Sequence, residues 1–234
     1  MMSKLTKRRK LVIRSVQFKR AYPVLEAITL AKVCSTVKFR ESLDVAVNLC
    51  PDFRQSGQIV LGSTVLPHGI GRNIRVAVFA CQDDENKARR AGADIVGTEA
   101  LTEQILSGNI DFDLMIATPE TMQMVGKLGR ILGPRGLMPN PKDGTVTTDI
   151  TTAVKRAKQG QVRYRSDKNG IIHCSIGKVD FTENALEENL SVLLSDIKAK
   201  CIQRSNKAFY LKKLTLSTTM GPGIAIELTT LKFF

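Results

Sequence analysis

The chain has 234 residues but only two histidines and five cysteines, and this scarcity argues against several kinds of site. His68 and His173 are too isolated to form the ligand cluster of a metal centre. The cysteines are odd in number and widely spaced, without a CxxC pair. That pattern disfavours a disulfide scaffold or a zinc site and favours a reducing cytosol. We therefore predict a protein without a bound metal.

Long apolar runs and enzyme motifs are also lacking. No apolar run has the length needed to cross a bilayer, so we expect no membrane association. A phosphate-binding P-loop is missing, because Gly126-Lys127 has neither the upstream glycine nor the following Ser or Thr. The segment Gly69-Ile70-Gly71 lacks the third glycine of a dinucleotide loop and precedes a predicted strand rather than a helix. We therefore predict no cofactor and no enzymatic activity.

Positive charge is abundant and unevenly distributed. The formal net charge is +13, yet residues 70–160 hold twelve Lys or Arg against eleven Asp or Glu, a net of +1. Residues 1–69 and 161–234 together hold twenty-three against eleven, a net of +12. A solvated surface does not require this bias, whereas a polyanion partner explains it, because each neutralised phosphate releases a counterion. The segments before and after the middle of the chain are thus predicted to bind nucleic acid.

The most distinctive segment is residues 126–145, here called the Gly–Pro run, which holds five glycines and three prolines. It contains no Ser, Cys, His or Glu, and so no nucleophile and no obvious general base. Glycine permits backbone shapes that other residues resist, and proline fixes φ. The composition predicts a shaped, exposed, cationic loop that docks on an anion.

Hydrophobic periodicity predicts an alternation of strands and helices in the middle of the chain. Helices are predicted at 23–34, 84–91, 101–106, 119–128, 149–158 and 184–201, after a basic N-terminal tail. Strands are predicted at 43–49, 58–66, 75–80, 94–96, 112–117, 162–165, 171–176, 211–218 and 223–228. Asn169-Gly170 is a strong hairpin signal between two of these strands.

This pattern predicts an α/β (α+β) protein with two domains. Residues 70–160 form an inserted, Rossmann-like parallel α/β domain. Residues 1–69 and 161–234 share the excess positive charge and the β-rich pattern, so we predict that they form one discontinuous α+β domain. The two chain crossings near 67–71 and 159–161, with Pro67, Gly69 and Gly160, would then form a hinge.

Several segments occur in the order found in one known family. They are Pro-His-Gly at 67–69, AGAD at 91–94, Phe-Asp at 112–113, Ala-Thr-Pro at 117–119, the Gly–Pro run, and STTMGPG at 217–223. Together they resemble the L-one family of bacterial-type large-subunit ribosomal proteins, which form the mobile stalk beside the tRNA exit site. The resemblance covers nearly the whole chain. It implies a structural protein that binds large-subunit rRNA and is a monomer off the ribosome.

The resemblance also implies which residues bind rRNA, and we add His173 because it lies on a strand beside the basic hairpin. The predicted residues are Lys38, Phe39, Ser42, Asp44, Asp167, Lys168, His173, Ser217, Thr218, Thr219, Met220 and Gly221. Phe39 can pack on a sugar or an unstacked base, and Ser42 and Asp44 can bond 2′-hydroxyl groups. Without the resemblance, Phe39 would more often be a core residue, and Thr-Met-Gly-Pro would simply be a turn.

Two further functions are implied by the resemblance alone. Arg130, Arg135 and Lys142 of the Gly–Pro run are implied to face tRNA as it leaves the exit site. The discontinuous domain is implied to bind a similar fold in its own mRNA and to repress its translation. The chain departs from the family pattern at Leu61, where Arg is usual, and at Cys201 and Ala208, where Pro and Gly are usual.

Residues 1–25 carry eight Lys or Arg and no acid, which is the charge of an organellar transit peptide. Few of them are hydroxylated and the segment runs directly into a predicted helix, so we expect the cytoplasmic ribosome rather than an organellar one.

Two other function classes are disfavoured by missing motifs. A nucleotide-binding enzyme using the middle domain lacks a phosphate loop, and a DNA-binding regulator lacks a helix-turn-helix or zinc module.

Overall fold

The structure is a computed structural model that describes residues 6–17, 20–49, 60–205 and 211–231. The chain divides into two compact units, with borders between Gly71 and Arg72 and between Gln161 and Val162. We call the part between these borders the inserted unit and the rest the end unit. The end unit combines helices with antiparallel strands, and the inserted unit contains a parallel sheet, which confirms the predicted fold class.

The elements alternate along the chain in much the order that periodicity predicts. The helices are α1 (Lys7–Ser15), α2 (Val24–Cys34), α3 (Gln82–Arg90), α4 (Glu99–Leu106), α5 (Met122–Lys127), α6 (Gly129–Leu132), α7 (Ile150–Lys158) and α8 (Glu183–Ser205). The strands are β1 (Ser42–Leu49), β2 (Leu61–Val65), β3 (Val76–Phe79), β4 (Ile95–Val96), β5 (Leu114–Ala117), β6 (Gln161–Arg165), β7 (Ile171–Lys178), β8 (Leu211–Thr218) and β9 (Ile224–Ile226). Of the strand predicted at 58–66, residues 58 and 59 lie outside the described ranges.

The end unit is built on an antiparallel sheet with the strand order β7-β1-β8-β9. Every second residue of β1 is buried, as its alternating sequence predicts, because successive side chains point to opposite faces of a sheet. The buried face packs against α2 and α8, and β2 pairs with β6 beside α8. The other face of β1 keeps its polar side chains half-exposed, which makes it available to a ligand.

One element of the end unit departs from the sequence prediction, because residues 7–15 form a helix rather than a basic tail. Thr6 caps it, accepting a hydrogen bond from the Arg9 N–H at 3.3 Å. Val12 and Val16 are both buried, and their spacing of four places them on one side of this turn of chain. Periodicity missed the helix because the segment is strongly basic and the apolar Leu11 and Ile13 on either side of Val12 are exposed.

The inserted unit has a parallel three-stranded sheet in the order β4-β3-β5. Two apolar clusters lie on its opposite faces. One contains Phe79, Met115 and Ile105 with residues of α5 and α6, and the other contains Val78 and Val154 with residues of α3. A strand buried on both faces reads as a continuous apolar run, which is the pattern of β3.

The Gly–Pro run is more regular than the composition predicts. Its first part continues helix α5 into α6, with Leu128 and Leu132 buried in the core of the inserted unit. Gly133 closes α6, and a Cβ there would lie 2.7 Å from the Gly129 carbonyl oxygen. The prediction of a loop after residue 128 is therefore wrong for residues 129–132, where Leu132, four residues after Leu128, supplies a buried helix face.

Candidate nucleic-acid interface

The start of β1 and the end of β8 lie side by side at one end of the end-unit sheet. Leu43 pairs with Thr218 and Asp44 pairs with Ser217 in the antiparallel ladder. The Ser42 N–H donates to Thr219 Oγ1 at 3.0 Å, and the Thr219 N–H donates to the Ser42 carbonyl at 3.1 Å. Two segments separated by 177 residues of sequence are thereby joined.

A polar stripe follows from this register on the half-exposed face of the sheet. Asp44 and Ala46 share that face because they are two residues apart, and their cross-strand partners share it with them. The partner of Asp44 on β8 is Ser217, and the partner of Ala46 on β7 is His173. His173 is exposed, so three of the predicted binding residues lie on one continuous surface.

The turn after β8, residues 218–221, carries the predicted Thr219, Met220 and Gly221. Met220 is 54% exposed, whereas Thr218 is only 3% exposed. The Gly221 N–H donates to the Thr218 carbonyl at 3.0 Å, and a Cβ at Gly221 would lie 2.2 Å from Thr218 Oγ1. Glycine is therefore required at position 221, because a side chain there would collide with the buried Thr218.

Phe39 is not a core residue. Its side chain is 53% exposed in the bend between α2 and β1, and the neighbouring Lys38 is exposed as well. A large apolar ring held in solvent beside a cation is the arrangement that stacks on an unpaired base or a sugar. The structure thus favours the binding interpretation of Phe39 over the packing interpretation.

The hairpin between β6 and β7 lies at the other end of the sheet. Asp167 Oδ1 accepts the N–H groups of Asn169 at 2.8 Å and Ile171 at 2.9 Å, and the Ile171 bond is the main reason that its pKa is lowered. Ser42 pairs with Lys178 whereas Asn48 pairs with Ile171. Six residues of strand therefore separate the two places by about 20 Å, so Asp167 and Lys168 are not brought together with the 218–221 turn.

Two cations that the sequence prediction missed also support the interface. Lys178 Nζ donates to Ser42 Oγ at 2.8 Å, and the Arg8 guanidinium of α1 donates to the Met220 carbonyl. Arg8 was overlooked because residues 7–15 were predicted to be a tail, and Lys178 because it follows the predicted end of its strand. Together they place positive charge beside the polar residues at the start of β1 and the end of β8.

A half-buried carboxylate links α8 to the β2–β6 pair. Asp196 of α8 accepts hydrogen bonds from the hydroxyl groups of Tyr164, at 2.7 Å, and Thr64. Burial, and then the Asp196 carboxylate, raise the pKa of the Tyr164 phenol above its ordinary value.

The three departures from the family pattern lie in different places. Leu61 is half-buried on β2, Cys201 is buried in α8, and Ala208 lies outside the described residues.

In the inserted unit, Arg130, Arg135 and Lys142 are all exposed. Among the residues that the structure describes, none of the three forms an ion pair with a carboxylate. The second half of the Gly–Pro run is held by its own polar groups, since Asn140 Oδ1 accepts the Lys142 N–H at 3.0 Å. The three cations therefore stand on a shaped backbone, free to meet an anion.

The first predicted hinge segment, residues 67–71, is hydrogen-bonded to α8. Asn189, which is buried, accepts the His68 N–H at 3.1 Å and donates to the Gly69 carbonyl at 3.1 Å. The His68 ring also lies 2.6 Å from the Glu188 carboxylate. Pro67 is exposed, and Gly69 and Gly160 both have positive φ. The connector is thus held as far as Gly69 by side chains of the end unit itself.

Neither a membrane span nor a metal cluster is found in the described part of the chain. No helix within the described ranges is long and apolar enough to cross a membrane. Over the same residues, no group of three or more His, Cys, Asp or Glu is placed to hold a metal ion.

Comparison with known proteins shows which family the chain resembles. Residues 30–222 match the Ribosomal protein L1p/L10e family. The chain is 64% identical over 230 residues to the large ribosomal subunit protein uL1 of Coxiella burnetii (strain Dugway 5J108-111), covering 98% of this chain and 99% of that protein. It is 57% identical to the protein of the same name from Thioalkalivibrio sulfidiphilus and 55% identical to that from Marinomonas sp., each over 230 residues and 98% of this chain. The matches cover 99% and 98% of those two proteins.

These matches decide between the function classes that composition left open. A ribosomal family confirms the prediction of a non-enzyme and removes the nucleotide-binding enzyme as an alternative. It also agrees with the predicted place in a bacterial-type cytoplasmic ribosome. The chain belongs to the Ribosomal protein L1p/L10e family and is a structural constituent of the large ribosomal subunit.

Proposed function

We propose that the end unit binds large-subunit rRNA through the surface formed by Phe39, the polar stripe of β1 and the 218–221 turn. The observation that carries the proposal is the junction of Ser42 with Thr219, which assembles residues from distant parts of the chain on a unit with excess positive charge. Hydroxyl and carboxylate groups on a sheet face suit 2′-hydroxyl groups, and exposed apolar groups suit sugars and bases. Phosphates would be neutralised by the surrounding lysines and arginines.

The test is a titration of the protein with a large-subunit rRNA stalk fragment and with an unrelated duplex RNA, over a series of salt concentrations. Binding to both should weaken as salt rises, because phosphate contacts release counterions. Binding to the stalk fragment should persist at salt concentrations where the duplex has dissociated. Equal affinity for the two RNAs, or affinity independent of salt, would contradict specific rRNA recognition.

The same surface is proposed to bind a similar fold in the protein's own mRNA and so to repress translation. A leader fragment of that mRNA can be added to the titration as a third RNA. Competition between the leader and the stalk fragment for one site is the expected result. Simultaneous binding of both RNAs would exclude a shared surface.

For the inserted unit we propose contact with tRNA in the exit site, made by Arg130, Arg135 and Lys142. Replacing all three by alanine should lower the tRNA affinity of a ribosome or stalk complex by about tenfold, because each exposed cation contributes modestly. Binding of the isolated stalk fragment should be unchanged. The matched control is Arg89→Ala with Arg90→Ala and Lys155→Ala, which removes equal charge from α3 and α7. An equal loss in both triple variants would indicate a general charge effect.

We also propose that the connectors at residues 67–71 and 159–161 act as a hinge. Asn189 holds the first connector and Ile70 packs against the core of the end unit, so the movable residues would follow Ile70. The variant Asn189→Ala should widen the distribution of inter-unit distances measured by single-molecule FRET, because it frees the backbone of His68 and Gly69. The control is Glu188→Gln, which changes only the exposed carboxylate that contacts the His68 ring. Identical distributions in all three proteins, and no change on adding RNA, would argue against a hinge.

A further inference from the structure

Glu41 is an unusual residue at the base of the proposed interface. It directly precedes β1, and its side chain is only 1% exposed although it carries a carboxyl group. Acidic residues are rarely buried to this degree unless their oxygens are satisfied. The sequence Arg40-Glu41-Ser42 looks like ordinary surface, so periodicity gives no sign of this burial.

The contacts of Glu41 are few and point to one place. Oε1 accepts the Met220 N–H at 3.1 Å, and the Glu41 carbonyl accepts the Val179 N–H at 3.1 Å. The second carboxyl oxygen, Oε2, is buried and has no hydrogen-bond partner among the described residues. The side chain therefore makes a single hydrogen bond, and that bond goes to the 218–221 turn.

This arrangement is poorly explained by stability. A buried carboxyl oxygen without a partner carries a desolvation penalty that one hydrogen bond does not clearly offset. An apolar side chain of similar size would avoid the penalty. What the carboxyl group supplies, and an apolar group could not, is a fixed position for the Met220 peptide.

Met220 is held at both of its backbone polar groups. Glu41 binds its N–H, and the Arg8 guanidinium binds its carbonyl. Its side chain, an apolar group, is meanwhile held largely in solvent next to the close approach of Gly221 and Thr218. The Ser42–Thr219 hydrogen bonds fix the start of this turn, and Glu41 and Arg8 fix the residue that follows.

We infer that Glu41 is a positioning residue for RNA recognition, which presents Met220 and Gly221 to the ligand by binding the Met220 N–H from beneath. The inference rests on the proposed function of this surface. It assigns to Glu41 a role that depends on the reach and acceptor capacity of the side chain. The negative charge of the group is not required for that role.

Two substitutions distinguish the effect of the length of the Glu41 side chain from the effect of its charge. Glu41→Gln keeps the chain length and an acceptor oxygen but removes the charge, and Glu41→Asp keeps the charge but is one methylene shorter. We expect stalk-fragment affinity within about threefold of wild type for Glu41→Gln and about tenfold weaker for Glu41→Asp, the effect of losing one hydrogen bond at a charged group. The control Glu187→Gln makes the same charge change on α8.

A second measurement reports on the turn directly. Hydrogen exchange of the Met220 amide should be accelerated in Glu41→Asp and unchanged in Glu41→Gln, with or without RNA. The inference is overturned if Glu41→Asp binds and exchanges like wild type, or if Glu41→Gln is the weaker binder. If the wild-type protein does not discriminate between stalk fragment and duplex, the proposed function fails, whereas the exchange of Met220 still tests the role of Glu41.

Discussion

Replacing Gly221 with alanine should weaken binding of the rRNA stalk fragment about 100-fold while leaving the end unit folded. The new Cβ would lie 2.2 Å from Thr218 Oγ1 and 3.3 Å from Thr218 Cβ. Thr218 is buried and its side chain is short, so it cannot swing away, and the 218–221 turn must move instead. Misplacing the turn would lose two or three hydrogen bonds to RNA, each contributing about 1 kcal/mol, which amounts to roughly that factor.

Two further variants make this result specific. Gly223→Ala is a graded control in the same segment, because its Cβ would lie 3.2 Å from Thr215 Cγ2, a contact that a shift of a few tenths of an ångström relieves. Its affinity should stay within about threefold of wild type. The double variant Thr218→Ala with Gly221→Ala removes the clashing oxygen and should recover much of the lost affinity. Normal binding by Gly221→Ala alone would show that the turn does not contact RNA.

Replacing Asp196 with alanine should destabilise the end unit by about 3 kcal/mol, since two hydroxyl groups lose a carboxylate acceptor. Tyr164 and Thr64 are both buried and both donate to Asp196. A buried donor left without a partner costs more than the bond itself contributes. Equilibrium unfolding in urea, followed by circular dichroism, measures the change as a lower midpoint.

The neighbouring residue provides the comparison for this prediction. Ser195→Ala removes an exposed hydroxyl group that bonds only the Ser191 carbonyl one turn earlier, so its stability should stay within about 0.5 kcal/mol of wild type. Asp196→Asn keeps one acceptor oxygen and should fall between Asp196→Ala and the wild type. If Asp196→Ala unfolds at the wild-type midpoint, Tyr164 and Thr64 must find other acceptors, and the support assigned to Asp196 would be wrong.

The sequence predicts those parts of the fold that depend on periodicity and charge. The strict alternation of residues 43–49 predicts β1 and its buried face, and Asn169-Gly170 predicts the hairpin that follows β6. Helix α1 was missed because its buried apolar positions, Val12 and Val16, lie within a strongly basic segment. Its packing depends on tertiary contacts that a local pattern does not contain.

The supporting residues of the candidate site were less predictable than the residues on its surface. Glu41 and Asp196 look like solvent-exposed charges in the sequence, and each is recognised only by its partners on distant strands. Arg8 and Lys178 likewise act on residues far away in sequence. Sequence resemblance supplied the proposed binding residues, whereas the side chains that support them, such as the buried Glu41, became visible only with the fold.

The separation of the 218–221 turn from the β6–β7 hairpin sets a minimum footprint for any RNA that touches both. About 20 Å of sheet lies between them, which corresponds to roughly six nucleotides at about 3.4 Å per phosphate along one strand. An RNA shorter than this can occupy one end of the sheet or the other. The length at which affinity rises as an oligonucleotide is extended would therefore measure whether the hairpin and the turn are engaged by the same molecule.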